Sequence, residues 1–454
     1  MLIDADYKPS PEEEEGGRAG KELSFGLCLS GGGFRATLFH LGVMRALHKV
    51  GLLERVDAIS AVSGGSILAA AYGLAAARAE RTGTPFDFES FALSIVRCAS
   101  RGIRNRVLLK LASPLFLYRW AFRRETRTTL LADAYDAWLL GGATIGDLPE
   151  SPKIFLNSVC LNNGEIWSFS RDGIHGINSQ MVLLSEGHRA DVPLSFAVAA
   201  SSAVPALFPP IMRPRSFFYD PTVEIGYGNG TGQVVDPGFG LMPDPFRYLY
   251  FCDGGVLDNV GLETMNYRFN PNVVLISDGG AHFQILASPP TSLVLGYLPI
   301  VGRLLFGAAG VLGRVLEMMM RQATAERTDR QEPDHPWRIH KYTISIDSPA
   351  INGVEHQVAD YVRRIRTDLD AFSTTEIRAL VAHGESHVYH YLLLQRANSF
   401  GPVLSVTGTQ IPTIDGTLKS WTASEQLHLK SSCINSAVVR FVRRSIGALR
   451  QRVP

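Results

Sequence analysis

A segment with three consecutive glycines could bind a negative charge. Gly31, Gly32 and Gly33 follow the apolar run LSFGLCL at 23–29 and precede FRATLFHLGVMRAL, whose apolar residues recur at helical spacing. A glycine loop between a buried strand and a helix presents free backbone N–H groups and the positive end of the helix dipole. The loop is therefore predicted to bind either a phosphate or the oxyanion of an acyl-transfer intermediate.

Two common phosphate-binding loops fit this segment poorly. A Walker-type loop ends in Gly-Lys-Ser/Thr, where this chain has Phe34-Arg35-Ala36. A dinucleotide fingerprint fits only loosely with Ala36 as its last member, and no acidic residue ends a second strand near the expected position. On its own, the loop is also compatible with plain tight packing at a strand end.

A second apolar run ends at a serine. The run VDAISAV at 56–62 is followed by Ser63, Gly64 and Gly65, and then by an alanine-rich stretch of helical character. This order is typical of a nucleophile elbow, a sharp turn between strand and helix that exposes a serine hydroxyl. Ala61 stands where the usual pattern has glycine. A serine that only caps the helix remains the alternative.

An aspartate follows a third apolar run. Asp253, the first residue of an Asp-Gly-Gly sequence, comes directly after RYLYFC at 247–252 and could accept the serine proton as a general base. A second Asp-Gly-Gly begins at Asp278. A polar cluster follows the first copy only: Asp258, Asn259 and Glu263. The first copy is therefore preferred, although an aspartate in an ordinary turn remains an alternative.

These motifs need strands whose carboxyl ends meet at one edge of a sheet. Near-continuous apolar runs predict strands buried on both faces at 23–29, 56–62, 154–161, 247–252, 272–277 and 341–346. Helices are predicted between several of them, at 37–50, 64–82 and 128–140. The alternation predicts an α/β fold with a mainly parallel central sheet flanked by helices.

The other segments are interpreted from composition. Residues 211–246 are predicted to form a loop or a β excursion, and 286–335 an insertion between the fifth and sixth strands. Ser373 and Glu376 have the spacing of a capping box at the start of a helix. Three cysteines lie in apolar runs and are predicted to be buried free thiols, namely Cys28, Cys160 and Cys252. Buried free thiols are a weak indication that the protein resides in a reducing cytoplasm.

Charge and hydropathy argue against some classes of partner and against a membrane-spanning segment. A net charge of +1 over 454 residues gives no electrostatic reason to expect nucleic acid as a partner. Residues 1–22 have no basic-then-apolar leader and are predicted to be a mobile acidic tail. The most apolar segment, 291–320, is interrupted by Pro299, Arg303 and Arg314, so it is not predicted to span a membrane. The chain is predicted to be soluble or peripheral.

Taken in this order, the motifs resemble those of the patatin-like phospholipase family. The glycine loop is similar to the family's G-G-G-x-R-[GA] sequence, and it precedes a serine elbow and Asp-Gly-Gly. SFAVAASSAVPALFPP at 195–210 is similar to a segment beside the family's active site, and DGGVLDNVGLE is similar to bacterial members. The motifs also resemble the catalytic module of cytosolic phospholipase A2. The likeness covers about 23–285 and 340–396, and it departs from the family at Ala61.

The resemblance implies a patatin-like three-layer sandwich over 23–396, with the insertion at 286–335 and a C-terminal extension at 397–454. It implies a lipid acyl hydrolase that cleaves ester-linked fatty acids without a metal or cofactor. The implied catalytic residues are Ser63 as nucleophile and Asp253 as base, which form a dyad without histidine. The implied oxyanion and substrate-binding residues are Gly31, Gly32, Gly33, Arg35 and Gly64.

Several alternatives stay open at this stage. An esterase of α/β-hydrolase type could use a later histidine in a Ser-His-Asp triad, and a patatin-like module could bind lipid or protein without catalysis. Arg35 could orient a lipid phosphate or anchor the loop through a salt bridge. Metal-ligand spacing on a helix occurs at His383, His387 and His390. Because no acidic partner motif accompanies them, these histidines are predicted to face solvent or to cap a helix.

Three segments are candidates for peripheral membrane contact. Residues 101–127 combine eight basic residues with leucines and aromatics, a pattern suited to an anionic lipid surface. The apolar segment 291–320 and the basic C-terminus VVRFVRRSIGALRQRV are the others. Packing against the core is the alternative for each. The predicted location is cytoplasmic, with contact at the inner membrane face as an option.

Overall fold

The computed structural model describes residues 24–103, 107, 110, 114, 118, 125–177, 192–205, 207–214, 248–280, 318, 322, 340–348, 356–367, 369–398 and 421–432. Several predictions fall outside these residues. They concern the tail at 1–22, most of 101–127, most of the excursion at 211–246, almost all of the apolar segment 291–320 and of the insertion at 286–335, and the C-terminus beyond 432.

The described residues contain a nine-stranded sheet. Its strands are β1 (Phe25–Leu29), β2 (Ala58–Val62), β3 (Lys153–Cys160), β4 (Glu165–Ser170), β5 (Gly173–Gly176), β6 (Ile211–Pro214), β7 (Tyr248–Asp253), β8 (Val273–Asp278) and β9 (His340–Ser345). The order is β5-β4-β3-β2-β1-β8-β9, and β7 pairs with both β3 and β6. All six predicted strands are present.

The centre of the sheet is parallel and one side is antiparallel. Strands β3, β2, β1, β8 and β9 run parallel to one another. Strands β4, β5, β6 and β7 pair antiparallel. The mainly parallel sheet is confirmed, but the strand predicted at 247–252 runs against its partner β3. The short strands β4, β5 and β6 were not predicted as separate strands.

Helices lie along the sheet between the strands. They are α1 (Gly33–Lys49), α2 (Gly64–Thr82), α3 (Phe88–Arg101), α4 (Arg127–Tyr135), α5 (Leu194–Ser201), α6 (Leu262–Arg268), α7 (His356–Arg364), α8 (Thr374–Asn398) and α9 (Ala423–Ser432). After α4 the chain continues in a π-helical turn at Asp136–Leu140. The predicted capping box forms at α8, because Ser373 N–H donates to Glu376 Oε2 (2.7 Å) and Glu376 N–H donates to Ser373 Oγ (3.3 Å).

The sheet is covered on both faces, as the apolar runs predicted. Leu27 and Leu29 of β1 belong to the large core formed with α1, α2 and α8. Cys28 points to the opposite face, where it packs with Leu262 and Met265 of α6 in a smaller core. The alternation follows from the two-residue period of a strand. The result is a three-layer sandwich, and Cys28, Cys160 and Cys252 are buried free thiols as predicted.

Helices α1 and α8 pack with almost no space between their backbones. A Cβ atom added at Gly42 would lie 2.0 Å from the carbonyl oxygen of Val381, and one added at Gly384 would lie 2.2 Å from that of Phe39. Only glycine fits at such contacts. Because α1 begins at the glycine loop, this contact helps to hold the loop in place. None of the helices that the structure describes is both long and apolar enough to cross a bilayer.

Candidate active site

Ser63 occupies a strained turn between β2 and α2. Its φ is 50° and its ψ is −113°, a backbone conformation that side-chain-bearing residues rarely adopt and that often marks functional sites. The turn packs tightly, because a Cβ at Gly64 would lie 2.2 Å from the oxygen of Gly33 and one at Gly65 would lie 2.3 Å from that of Leu29. The sharp elbow therefore forms with Ala61 in place of glycine.

The alternative role of Ser63 as a helix cap does not fit the structure. Ser63 stands at the N-cap position of α2, but its side chain makes no capping hydrogen bond. The turn is held instead through its backbone, since Ser63 N–H donates to Ser201 Oγ (2.9 Å) and Ser201 Oγ hydrogen-bonds Ser66 Oγ (2.8 Å). Ser201 ends α5. Its role was missed because nothing in the sequence pairs it with the elbow, although it lies in the family-like segment 195–210.

Strand register brings the predicted base to the predicted nucleophile. Val62 of β2 pairs with Asn157 of β3, and Asp253 of β7 pairs with the next residue, Ser158. Since Ser158 also pairs with Trp167 of β4, β4 occupies the other edge of β3. Strands β2 and β7 therefore approach each other end to end along one edge of β3. Asp253 lies next to the end of β2, where the elbow serine follows.

Asp253 is buried, and only one of its two carboxylate oxygens accepts a hydrogen bond of standard geometry from the described residues. Its Oδ1 accepts the N–H of Gly255 (2.8 Å), and its Oδ2 accepts no hydrogen bond of standard geometry from the described residues. Burial raises the pKa of this carboxyl to about 6, while the Gly255 amide and the nearby Ser63 side chain lower it. The hydroxyl is thus close enough to influence the carboxylate, with one buried oxygen left to accept a proton.

The glycine loop offers fewer free amides than the sequence implied. Gly31 N–H donates to the backbone oxygen of Asn259 (2.9 Å), so this amide already has an acceptor within the protein. The first helical bond of α1 runs from Ala36 N–H to Gly32 oxygen. Within the described residues, the amides of Gly32, Gly33 and Gly64 donate to no acceptor, as expected at helix N-termini. These three remain the predicted oxyanion donors.

Arg35 is an internal anchor. Its side chain is 2% exposed, and its guanidinium donates to the backbone oxygens of Gly279 (2.9 Å), Gly280, Ile365 (3.1 Å) and Arg363 (3.3 Å). These bonds fasten the turn after β8 and the segment after α7 to the start of α1. Arg35 thus anchors the loop through backbone oxygens, where a salt bridge was predicted, and a side chain this buried is poorly placed to meet a lipid phosphate.

The other acidic residues near the loops accept hydrogen bonds from backbone amides. Asp258 Oδ1 accepts the amides of Val260 and Gly261 (both 3.0 Å), and its Oδ2 accepts that of Glu263 (2.8 Å). The second Asp-Gly-Gly copy, at Asp278, ends β8, which lies on the far side of β1 from β2. The preference for the first copy therefore agrees with the position of the elbow.

Two of the three histidines with metal-ligand spacing on α8 are placed differently from the prediction. His383 and His387 of α8 are buried, not solvent-facing, and their Nε2 atoms lie 3.1 Å apart. In the described part of the chain, no histidine hydrogen-bonds Ser63 or Asp253. Among the residues that the structure describes, no three or more His, Cys, Asp or Glu side chains are grouped so that they could hold a metal ion.

Buried histidines predict loss of stability in mild acid. Burial lowers the pKa of His40 and of His383 from 6.5 to about 4, and that of His387 to about 2. Because the unfolded chain binds these protons more readily, the three histidines should make the free energy of unfolding fall as the pH drops from 6.5 toward 4. The raised pKa of Asp253 has the opposite sign and offsets part of this fall. Urea unfolding followed by circular dichroism at several pH values measures the slope. His387→Leu should make it shallower, and an equal slope in the variant would contradict the assignment.

Comparison with known proteins places the chain in a family. The mainly parallel sheet defines an α/β protein, and the strained serine turn beside a buried carboxylate forms its candidate site. The family model described as "Patatin-like phospholipase" matches residues 27–265, more than half of the chain. The protein belongs to the patatin-like phospholipase family. Membership favours lipid hydrolysis as the chemistry of this site.

The similar curated proteins are fungal. A patatin-like phospholipase domain-containing protein of Chaetomium globosum is 25% identical over 262 residues, which cover 57% of this chain and 25% of that protein. The Yarrowia lipolytica protein YALI0D16379g, of the same description, is 25% identical over 313 residues, which cover 65% of this chain and 30% of that protein. The chain thus matches less than a third of the length of either relative.

Solved structures with a similar arrangement include human GIVD cytosolic phospholipase A2. It is 15% identical with a TM-score of 0.47, and the match covers 85% of this chain and 60% of that one. VipD from Legionella pneumophila is 14% identical with a TM-score of 0.31, over 95% of this chain and 87% of that one.

Proposed function

We propose that this protein is a serine lipid acyl hydrolase that cleaves ester-linked fatty acids from phospholipids or lysophospholipids. The observation that carries the proposal is the end-to-end approach of β2 and β7 on β3, with a strained serine at one end and a buried carboxylate at the other. Family membership supports the lipid substrate. Ser63 is the proposed nucleophile and Asp253 the proposed base.

The first half-reaction transfers the acyl group to the enzyme. Ser63 Oγ attacks the ester carbonyl carbon while its proton passes to Asp253. The carbonyl oxygen becomes an oxyanion, which the free amides of Gly32, Gly33 and Gly64 stabilise. Collapse of this intermediate breaks the bond to the alkoxy oxygen, which takes the proton from Asp253 and leaves as an alcohol. The fatty acid remains as an ester of Ser63.

The second half-reaction releases the fatty acid. Water attacks the acyl carbon and gives one proton to Asp253. When the second oxyanion collapses, Ser63 Oγ leaves the carbon and takes that proton back. With a pKa of about 6, the carboxyl is mostly ionised at neutral pH but basic enough to hold a proton briefly. The strained backbone of the elbow keeps the hydroxyl presented in both steps.

Vesicles provide the direct test. The intact protein is incubated with vesicles of phosphatidylethanolamine and phosphatidylglycerol, and mass spectrometry measures free fatty acid and lysophospholipid. The matched control is the same protein treated with a fluorophosphonate, with the adduct mapped by peptide mass spectrometry. We expect product release only from the untreated protein and a single adduct on Ser63. Absence of both release and adduct would refute the proposal and favour a module that binds without catalysis.

A further inference from the structure

Asn259 lies in a turn that connects the predicted base to the glycine loop. It follows Asp253 by six residues, and its backbone oxygen accepts the N–H of Gly31 (2.9 Å). The preceding residue, Asp258, accepts three amides within the same turn. The backbone of Asn259 is therefore held firmly, and the position of its side chain is defined by the fold.

The side chain of Asn259 reaches the surroundings of Ser63. A Cβ atom added at Gly31 would lie 2.4 Å from Asn259 Oδ1 and 3.3 Å from Ser63 Cβ, so both atoms border the same small space. On the other side, Asn259 Nδ2 lies 3.2 Å from the corresponding point at Gly280. The carboxamide thus lies across the glycine loop, beside the elbow.

Among the described residues, none uses the carboxamide of Asn259. Asn259 is half-buried, and its side chain makes no hydrogen bond with any residue that the structure describes. A carboxamide beside Ser63 that no described residue binds is a group available to a ligand. Nothing in the sequence motifs had separated Asn259 from its polar neighbours.

We infer that Asn259 is a further catalytic residue, whose carboxamide hydrogen-bonds the reacting ester beside Ser63. The inference rests on the proposed function. Ester oxygens only accept hydrogen bonds, so Nδ2 must face the substrate. A half-turn of the amide exchanges Oδ1 and Nδ2 without breaking a hydrogen bond to any described residue. The bond strengthens as negative charge develops on the ester oxygens in the transition state. The carboxamide therefore supplements the backbone donors of the loop.

A double-mutant cycle between Gly31 and Asn259 tests the inference. Asn259→Ala removes the donor, and Gly31→Ala displaces it, because the new methyl group would overlap the position of Oδ1. Each variant should lower kcat for p-nitrophenyl butyrate and the rate of fluorophosphonate labelling by about 10²-fold, the usual effect of one oxyanion donor. Gly31→Ala also places a methyl group 3.3 Å from Ser63 Cβ, so only part of its loss acts through the carboxamide, and the two losses should be less than additive in the double variant.

Further readouts separate catalysis from folding. The melting temperature of Asn259→Ala should match the wild type, because the side chain hydrogen-bonds none of the residues that the structure describes. Asn259→Asp keeps the shape but cannot donate and adds a negative charge, so it should lose more activity than Asn259→Ala. Wild-type kcat in Asn259→Ala, or fully additive losses in the double variant, would overturn the inference. If the wild type itself is not labelled on Ser63, the proposed function fails, and the inference fails with it.

Discussion

Replacing Asp253 with asparagine is expected to lower kcat/KM for ester hydrolysis by about 10⁴-fold, the scale seen when a hydrolase loses the acidic member of its catalytic set. Asparagine is nearly the same size, and its oxygen can still accept the Gly255 amide that Asp253 Oδ1 now accepts. The fold should therefore survive, which circular dichroism can verify. What is lost is the group that takes the proton of Ser63.

The same carboxyl should set the pH dependence of activity. Its pKa is raised to about 6 by burial, and only the ionised form can act as the base. For a neutral ester, kcat/KM should therefore rise about tenfold per pH unit below that value and level off above it. Enzyme returned to neutral pH after acid exposure controls for the loss of stability expected from the buried histidines. A profile without an inflection near that pKa would argue against Asp253 as the base.

Ser63→Ala and the double variant Ser63→Ala/Asp253→Asn extend this prediction. Residues that act as a unit give non-additive losses, so the double variant should retain the same residual activity as Ser63→Ala. Ser94→Ala, in the outer helix α3, serves as the matched serine control and should retain full activity. Multiplying losses would show that the two side chains act separately, which would contradict a dyad.

Gly42→Ala is expected to be the most destabilising of the single-methyl changes considered for this fold. The added methyl group would lie 2.0 Å from the backbone oxygen of Val381, so α1 and α8 would have to separate. Because a backbone oxygen cannot turn aside as a side chain can, the free energy of unfolding should fall by about 3 kcal/mol or more. Urea unfolding of the purified protein measures this loss.

Two comparisons show whether the effect comes from the helix contact. Gly384→Ala places a methyl group 2.2 Å from the oxygen of Phe39 on the same interface and should be similarly harmful. Gly51→Ala meets no atom within 4 Å but has a φ of +72°, so it should cost only about 1 kcal/mol of backbone strain. If Gly42→Ala and Gly51→Ala cost the same, close packing of α1 on α8 is not the reason for glycine at position 42.

Much of the fold could be predicted because the evidence for it is local. Each of the six long apolar runs became a strand, since continuous burial on both faces requires continuous hydrophobicity. The capping box at Ser373 formed because both of its partners lie within one helical turn. The short strands β4 and β5 could not be predicted in this way. Their sequences, EIWSFS and GIHG, mix polar and apolar residues and contain no continuous apolar run.

The candidate site also has one part that could be predicted from the sequence and one part that could not. The sequence alone determined the glycine loop, the elbow at Ser63 and an aspartate at a strand end, because each depends on neighbouring residues. Only the tertiary structure decided that β7 runs antiparallel and meets β2 end to end. It also decided that Gly31 donates to Asn259 and that Arg35 anchors backbone carbonyls. These contacts join residues about 90 or more positions apart, and strand direction and hydrogen-bond partners at such separations leave no periodic pattern in the chain.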